Sequence, residues 1–391
     1  MLMTGRERIL AAFRGESPDY VPFAPNIYYW FYSRLARGAL PEEIAWAQHP
    51  FDVLRFLGAD ILARWDTQYA TREVFTAGEY AEEFAGESPF ARPMVTAFNI
   101  YPPHTSVRRR RLVTPYGALS ESWTLSVQAG ADLQSEYWWK DWDQYEAVRF
   151  LVEAREFVFD AAEFRRWVER VGDDGLVMAS VSYSPLKKFH WLAGAANASL
   201  FIADHPDQMQ ELARIHEQKV LALIEQMVAV PEVEVLISND NLDSAFHPPY
   251  LFRRYAESFY RKAAEIIHRA GKVFLVHACG RNKALMPLVG QARIDCLEGL
   301  TPPPNGDVLL PEARRLAGYE NFTVNGGMDA LRLETRQNAE AALHAYTREL
   351  FAAMGDKRRF IYASSCSTPA GAPWENLKYL RDAARRYGRL A

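Results

Sequence analysis

Eight short runs rich in β-branched and apolar residues punctuate this chain, at 21–28, 59–67, 176–184, 233–241, 272–280, 294–301, 322–329 and 360–367. Many pass into polar residues and then into a helical periodicity. Amphipathic stretches at 207–230, 249–270 and 334–354 separate the later runs. Strands alternating with helices imply parallel pairing with the helices as cover. Eight such units in 391 residues predict an α/β fold, a closed (β/α)8 TIM barrel. An open doubly wound sheet is the alternative, weakened because no G-x-G-x-x-G follows the first run. The alternation breaks between about residues 70 and 150. There the segment SVRRRRLVTPYGALSESWTLSV carries a Pro115–Tyr116–Gly117 turn between two strand-like runs. The expectation is one domain over 1–391, with a β-hairpin layer inserted after the second strand beside the barrel mouth. Thr4 and Glu7 form a T-x-x-E capping box that starts a helix through Ile9, Leu10 and Phe13.

Composition narrows the function classes. A 49% hydrophobic content suffices for one large core. Forty-five basic against 49 acidic residues excludes nucleic-acid binding through bulk charge. The basic run Arg108–Arg111 reads as a solvated strand or turn edge. No stretch reaches the roughly 18 apolar residues of a membrane span, and MLMTGRERIL lacks the apolar core of a secretory signal. Three cysteines are too few for a disulfide scaffold, so a cytoplasmic protein with free or metal-bound thiols is expected. Aromatic residues at 13% suit either a large core or a pocket for a flat ligand.

In a barrel of this type, chemistry gathers where the strands end. His277 and Cys279, spaced i, i+2 at the end of the fifth run, point to one face of a strand. Cys366 stands at the end of the eighth run. Two thiolates and an imidazole suit Zn²⁺ and leave a fourth position open. A buried strand histidine and two small cysteines are also common core residues, so spacing alone leaves both readings standing. Cys296 reads as core or as a residue behind the ligands. Glu298, at the tip of the sixth run, is a candidate fourth ligand or general base, or else an ion-pair member at the mouth. Asp240 is a second catalytic candidate among the polar strand ends. Its neighbours Asn239 and Asn241, with Asn325, are candidates to orient a substrate or to cap loops. Tyr28, Tyr29, Trp65 and Phe246 are candidate walls of an aromatic pocket, or ordinary packing residues.

Several stretches carry a resemblance: TGRERILAAFRGESPDYVPF, AGKVFLVHACGRNKALMPLV, IDCLEGLTPPPNGDV, NGGMDA and SSCSTPAGAPWENLKYL. Together they resemble the uroporphyrinogen decarboxylase superfamily over nearly the whole chain, and its cobalamin-dependent methyltransferase branch more than the decarboxylases. PNIYYWFYSRLARG stands where the decarboxylases carry M-R-Q-A-G-R. The resemblance implies a TIM barrel and a zinc site of one His and two Cys, matching His277, Cys279 and Cys366. It also implies methyl transfer with a corrinoid. No D-x-H-x-x-G motif is present, so cobalamin would come from a separate corrinoid protein. The expected activity is demethylation of a small substrate, a methoxylated aromatic, with the methyl passed to that cobalamin. The alternatives are methyl transfer from methylcobalamin to a coenzyme M-like thiol, and a metal-free decarboxylation of the porphyrinogen type. A homodimer is the expected assembly.

Overall fold

The computed structural model describes residues 2–390. It opens with helix α1 (Gly5–Arg14), whose N-terminus carries the Thr4–Glu7 capping box and whose C-terminus closes on Gly15 in the left-handed region. All eight expected barrel strands form: β1 (Phe23–Ala24), β2 (Ile61–Ala63), β3 (Gly175–Ser180), β4 (Val235–Leu242), β5 (Val273–Ala278), β6 (Cys296–Leu300), β7 (Thr323–Met328) and β8 (Phe360–Ser364). They pair in parallel in the order β1-β8-β7-β6-β5-β4-β3-β2, a nearly closed barrel with covering helices.

The seam between β1 and β2 is joined by Asp60. Its amide donates to the Phe23 carbonyl at 2.8 Å, and its carboxylate accepts from the Phe23 amide at 2.9 Å. Arg8 of α1 pairs with the same carboxylate. A first-turn helix thus locks the weakest junction of the sheet, which explains why a buried arginine and a buried aspartate lie so early in the chain.

Between β2 and β3 the chain leaves the barrel. Strands Glu79–Ala85, Val107–Thr114, Gly117–Ser126 and Ala131–Glu136 form an antiparallel four-stranded sheet, and Thr71–Phe75 pairs with Arg155–Phe159. Thr114 pairs with Gly117, so Pro115 and Tyr116 make a two-residue hairpin turn. The basic run is not a solvated edge along its whole length. Arg109 and Arg111 face solvent, but Arg108 and Arg110 point the other way and pair with Glu82 and with Glu121 and Glu73. The period of two in the strand decides this.

After β3, helix α2 (Pro185–Asp204) runs over the mouth and breaks at Gly194 (φ 76°). Helix α3 (Glu257–Arg269) covers β4 and β5 with Phe259, Tyr260, Ala263, Ala264 and Ile267 buried. Among the described residues, no helix is long and apolar enough to cross a membrane.

Candidate metal centre

His277 is the second-last residue of β5, Cys279 lies just past it, and Cys366 lies two residues past β8. The curvature of the barrel brings them together: one ligand atom from each falls within 4.8 Å of the others. The backbone around Cys366 is tied in place. Asn26, after β1, donates to the Cys366 carbonyl at 3.0 Å and to Ser367 Oγ at 3.1 Å. Thr301 Oγ1 donates to the Ser365 carbonyl at 2.8 Å.

The two ring nitrogens of His277 have different surroundings. Nδ1 meets the Glu298 carboxylate, while Nε2 faces Cys366 Sγ at 4.0 Å. Glu298 lies opposite His277 in the β5–β6 register and is fully buried. Its other partner is Arg64, just beyond β2, itself almost wholly buried. The chain Arg64–Glu298–His277 therefore orients the imidazole and directs Nε2 at the thiols. Carboxylate support of this sort fixes the tautomer and raises the basicity of a ligand histidine.

Charges follow this geometry. Burial opposes a charge on Glu298, but Arg64 and His277 outweigh it and hold the carboxyl below its usual range. Burial also opposes an imidazolium, yet Glu298 and Cys366 push His277 up to about 10. Cys366 is pulled well below an ordinary thiol by a hydrogen bond from Cys279 and by His277. Cys279 is pushed up by the interaction with Cys366 and by burial. The set of one nitrogen and two sulfur donors fits a tetrahedral N/S metal site, with no fourth protein donor in the cluster among the described residues.

The other candidate residues divide. Tyr29 is half-buried, and both thiols lie close enough to its phenol to raise its pKa further, beyond the larger effect of burial. Its ring stands 4.7 Å from Trp65. Asn239 faces the barrel interior and donates to Ser180 Oγ at 2.8 Å. Asn241 is half-buried in a left-handed turn of β4 (φ 49°), where the register with β5 shifts.

Five candidates need correction. Glu298 is neither a fourth ligand nor a base open to substrate, because it is sealed behind His277. Asp240 lies on the opposite side of β4 from Asn239 and points at the helix layer. There it is fully buried, accepting from the Ser184 amide at 2.8 Å, Ser238 Oγ at 3.0 Å and the Tyr260 hydroxyl. Tyr28 turns into the core, where its hydroxyl donates to Asp66. Phe246 lies on a surface loop, 55% exposed. Asn325 is fully buried and accepts from the Gly299 amide at 3.4 Å, but its Nδ2 has no partner in the protein, so its candidacy stands. Trp65 is nearly buried between the rings of Tyr28 and Tyr29, so it is a packing residue rather than a pocket wall. Cys296 sits one layer below Glu298, opposite Leu275, fully buried.

Sequence reasoning missed Arg64, Asn26 and Lys187. Arg64 had a signal: a charge directly after the apolar residues 61–63 of a strand run. Lys187, on the first turn of α2, stacks its ammonium 4.7 Å from the Trp191 ring and is close enough to Cys279 for their charges to interact.

The fold and the cluster together define a TIM barrel with a candidate metal centre in its mouth. Residues 129–387 match the family described as uroporphyrinogen decarboxylase (URO-D), and the chain belongs to that family. A methyltransferase from Methanosarcina mazei is similar in structure over 98% of this chain and 99% of that one, at 14% identity and a TM-score of 0.59. That likeness is one of fold. The intracellular xylanase TsXylA from Thermoanaerobacterium saccharolyticum JW/SL-YS485 matches 54% of this chain and 71% of its own, at 11% identity and a TM-score of 0.34. Among curated proteins none matches this sequence.

Proposed function

We propose that this protein is a zinc-dependent methyltransferase that removes the methyl group of a small methoxylated aromatic and passes it to cobalamin on a separate corrinoid protein. The observation that carries the reading is the convergence of His277 Nε2 and the two thiols, with no fourth protein donor in the cluster among the described residues. When bound there, zinc supplies Lewis acidity at the ether oxygen, which makes a poor leaving group leave more readily.

The chain's own residues do the rest. Glu298 and Arg64 hold the imidazole in one orientation, so the donor set is preformed. In the transfer the methyl carbon–oxygen bond breaks and its electron pair stays on oxygen, which must then gain a proton. Solvent supplies that proton, because the Tyr29 phenol, pushed up by burial and by the nearby thiols, is a weaker acid than the phenol product. Access for a partner is compatible with the loops that follow the strands. Phe246, Tyr250, Leu309 and Leu331 all lie C-terminal to β4, β6 or β7, and each is more than half exposed. The fold shared with a methyltransferase is in keeping with this reading.

The test is transfer itself. Zinc-loaded protein is incubated with a methoxylated benzene and a reduced corrinoid protein, and separately with a methylated corrinoid protein and a thiol. The reading predicts methyl-cobalamin in the first mixture and none after chelation of the metal. Transfer only in the second mixture, or in neither, would overturn it.

A further inference from the structure

A cavity of about 700 Å³ lies between the inserted sheet, α2 and the barrel. That size suits a small organic ligand. Its floor includes Ser180, Ser182 and Asn239, so it opens on the ends of β3 and β4, and β4 is the neighbour of the strand that carries His277.

One wall is aromatic. The rings of Phe98, Trp123 and Trp191 stand 4.7–5.5 Å apart, and Tyr183 is 5.8 Å from Trp191. The indole N–H groups of Trp123 and Trp191 are buried without an acceptor in the protein. Such a wall takes a flat ring, and the free donors suit one bearing oxygen atoms.

The other wall is charged, and its charges do not cancel. Glu82 is taken up by Arg108, and Glu121 by Arg110. Glu73 accepts from Arg110 at 2.9 Å through one oxygen. Its second oxygen must serve both Lys188, at 3.6 Å, and Arg155, at 3.9 Å. Both separations exceed a hydrogen bond. Arg72, Arg108, Arg110 and Lys188 thus line the cavity against Glu73, Glu82 and Glu121, with Arg155 buried behind them. Lys188 lines the cavity although more than nine-tenths buried, and all three nitrogens of the Arg155 guanidinium lack a partner in the protein. Buried cations short of anions are costly, and a ligand anion would relieve them. The strain registers on Lys188, which burial and then Arg155 push down to about 8.

We propose that this cavity binds a planar aromatic carboxylate, its ring on the Phe98–Trp123–Trp191 wall and its carboxylate on Lys188. The inference rests on the methyl-transfer reading only for what is done to the ligand, and makes the methoxylated aromatic an anion.

Calorimetric titration of the full-length wild-type protein, zinc-loaded and metal-stripped, tests it. The probes are 4-methoxybenzoate, its neutral near-isostere 4-methoxyacetophenone, and cyclohexanecarboxylate. The expected result is binding of 4-methoxybenzoate at least about tenfold tighter than either of the others, with or without metal. Lys188→Met should remove the preference over the ketone, and Trp191→Ala the preference over the saturated acid. Equal affinity for the benzoate and the ketone in wild type would overturn the proposal, whatever the variants do. So would an undiminished preference in a folded Lys188→Met protein. Benzoate binding without methyl transfer would remove the proposed function and leave this site standing. Transfer from neutral ethers with no anion preference would do the reverse.

Discussion

At the scale of single residues, Glu298 shows how a buried charge can serve a site that it never enters. Its carboxylate joins Arg64 to His277, and its removal leaves a buried guanidinium without its anion. Glu298→Gln is expected to weaken zinc binding by about 10–100-fold, the usual cost of losing a carboxylate behind a ligand histidine. Competition with a chromophoric chelator measures it. Cys366→Ser removes a donor outright, and metal analysis should find the variant depleted of zinc beside the wild type. That His277, Cys279 and Cys366 come together was legible in the sequence because all three stand at strand ends, while their reading as ligands rested on the resemblance. The support behind the trio was not. Arg64 and Asn26 reach the site across the β1–β2–β8 side of the barrel, and nothing local in the sequence says which distant groups a closed sheet will bring together.

At the scale of elements, β4 explains why one catalytic candidate failed. Ser238, Asn239, Asp240 and Asn241 read as a polar strand end, but the period of two sends Asn239 inward and Asp240 toward α3. Asp240 is a cross-brace between β4, the start of α2 and Tyr260. Asp240→Ala is expected to lower the unfolding free energy by about 1–3 kcal/mol, the cost of stranding buried donors, with zinc content unchanged. Denaturant titration and metal analysis check the two halves. The same alternation divides Arg108 and Arg110 from Arg109 and Arg111. The eight barrel strands were legible because each is an apolar run between turn signals. The inward turn of two arginines depends on a cavity that only the packed insertion creates.

At the scale of the whole molecule, the excess of cations beneath the insertion reaches beyond the cavity. His216 is depressed to about 3, first by burial and then by Lys188 and Arg155. The folded protein therefore binds fewer protons there than the unfolded chain, whose histidine titrates near ~6.5. This contribution is complete above that value and is lost as pH falls toward 3. Relative to His216→Gln, the wild type should lose stability on acidification from pH 6 toward 4, with a slope approaching 1.4 kcal/mol per pH unit. Parallel unfolding curves of the two proteins at several pH values measure it. A constant difference would remove the link.

The central claim is a three-ligand zinc centre with an open position at the barrel mouth. X-ray absorption at the zinc edge of the purified, zinc-loaded protein tests it most directly. The account predicts two sulfur donors at about 2.3 Å, one histidine nitrogen at about 2.0 Å and one further light atom from an exchangeable ligand. A shell closed by four protein donors, or one lacking two sulfurs, would contradict it.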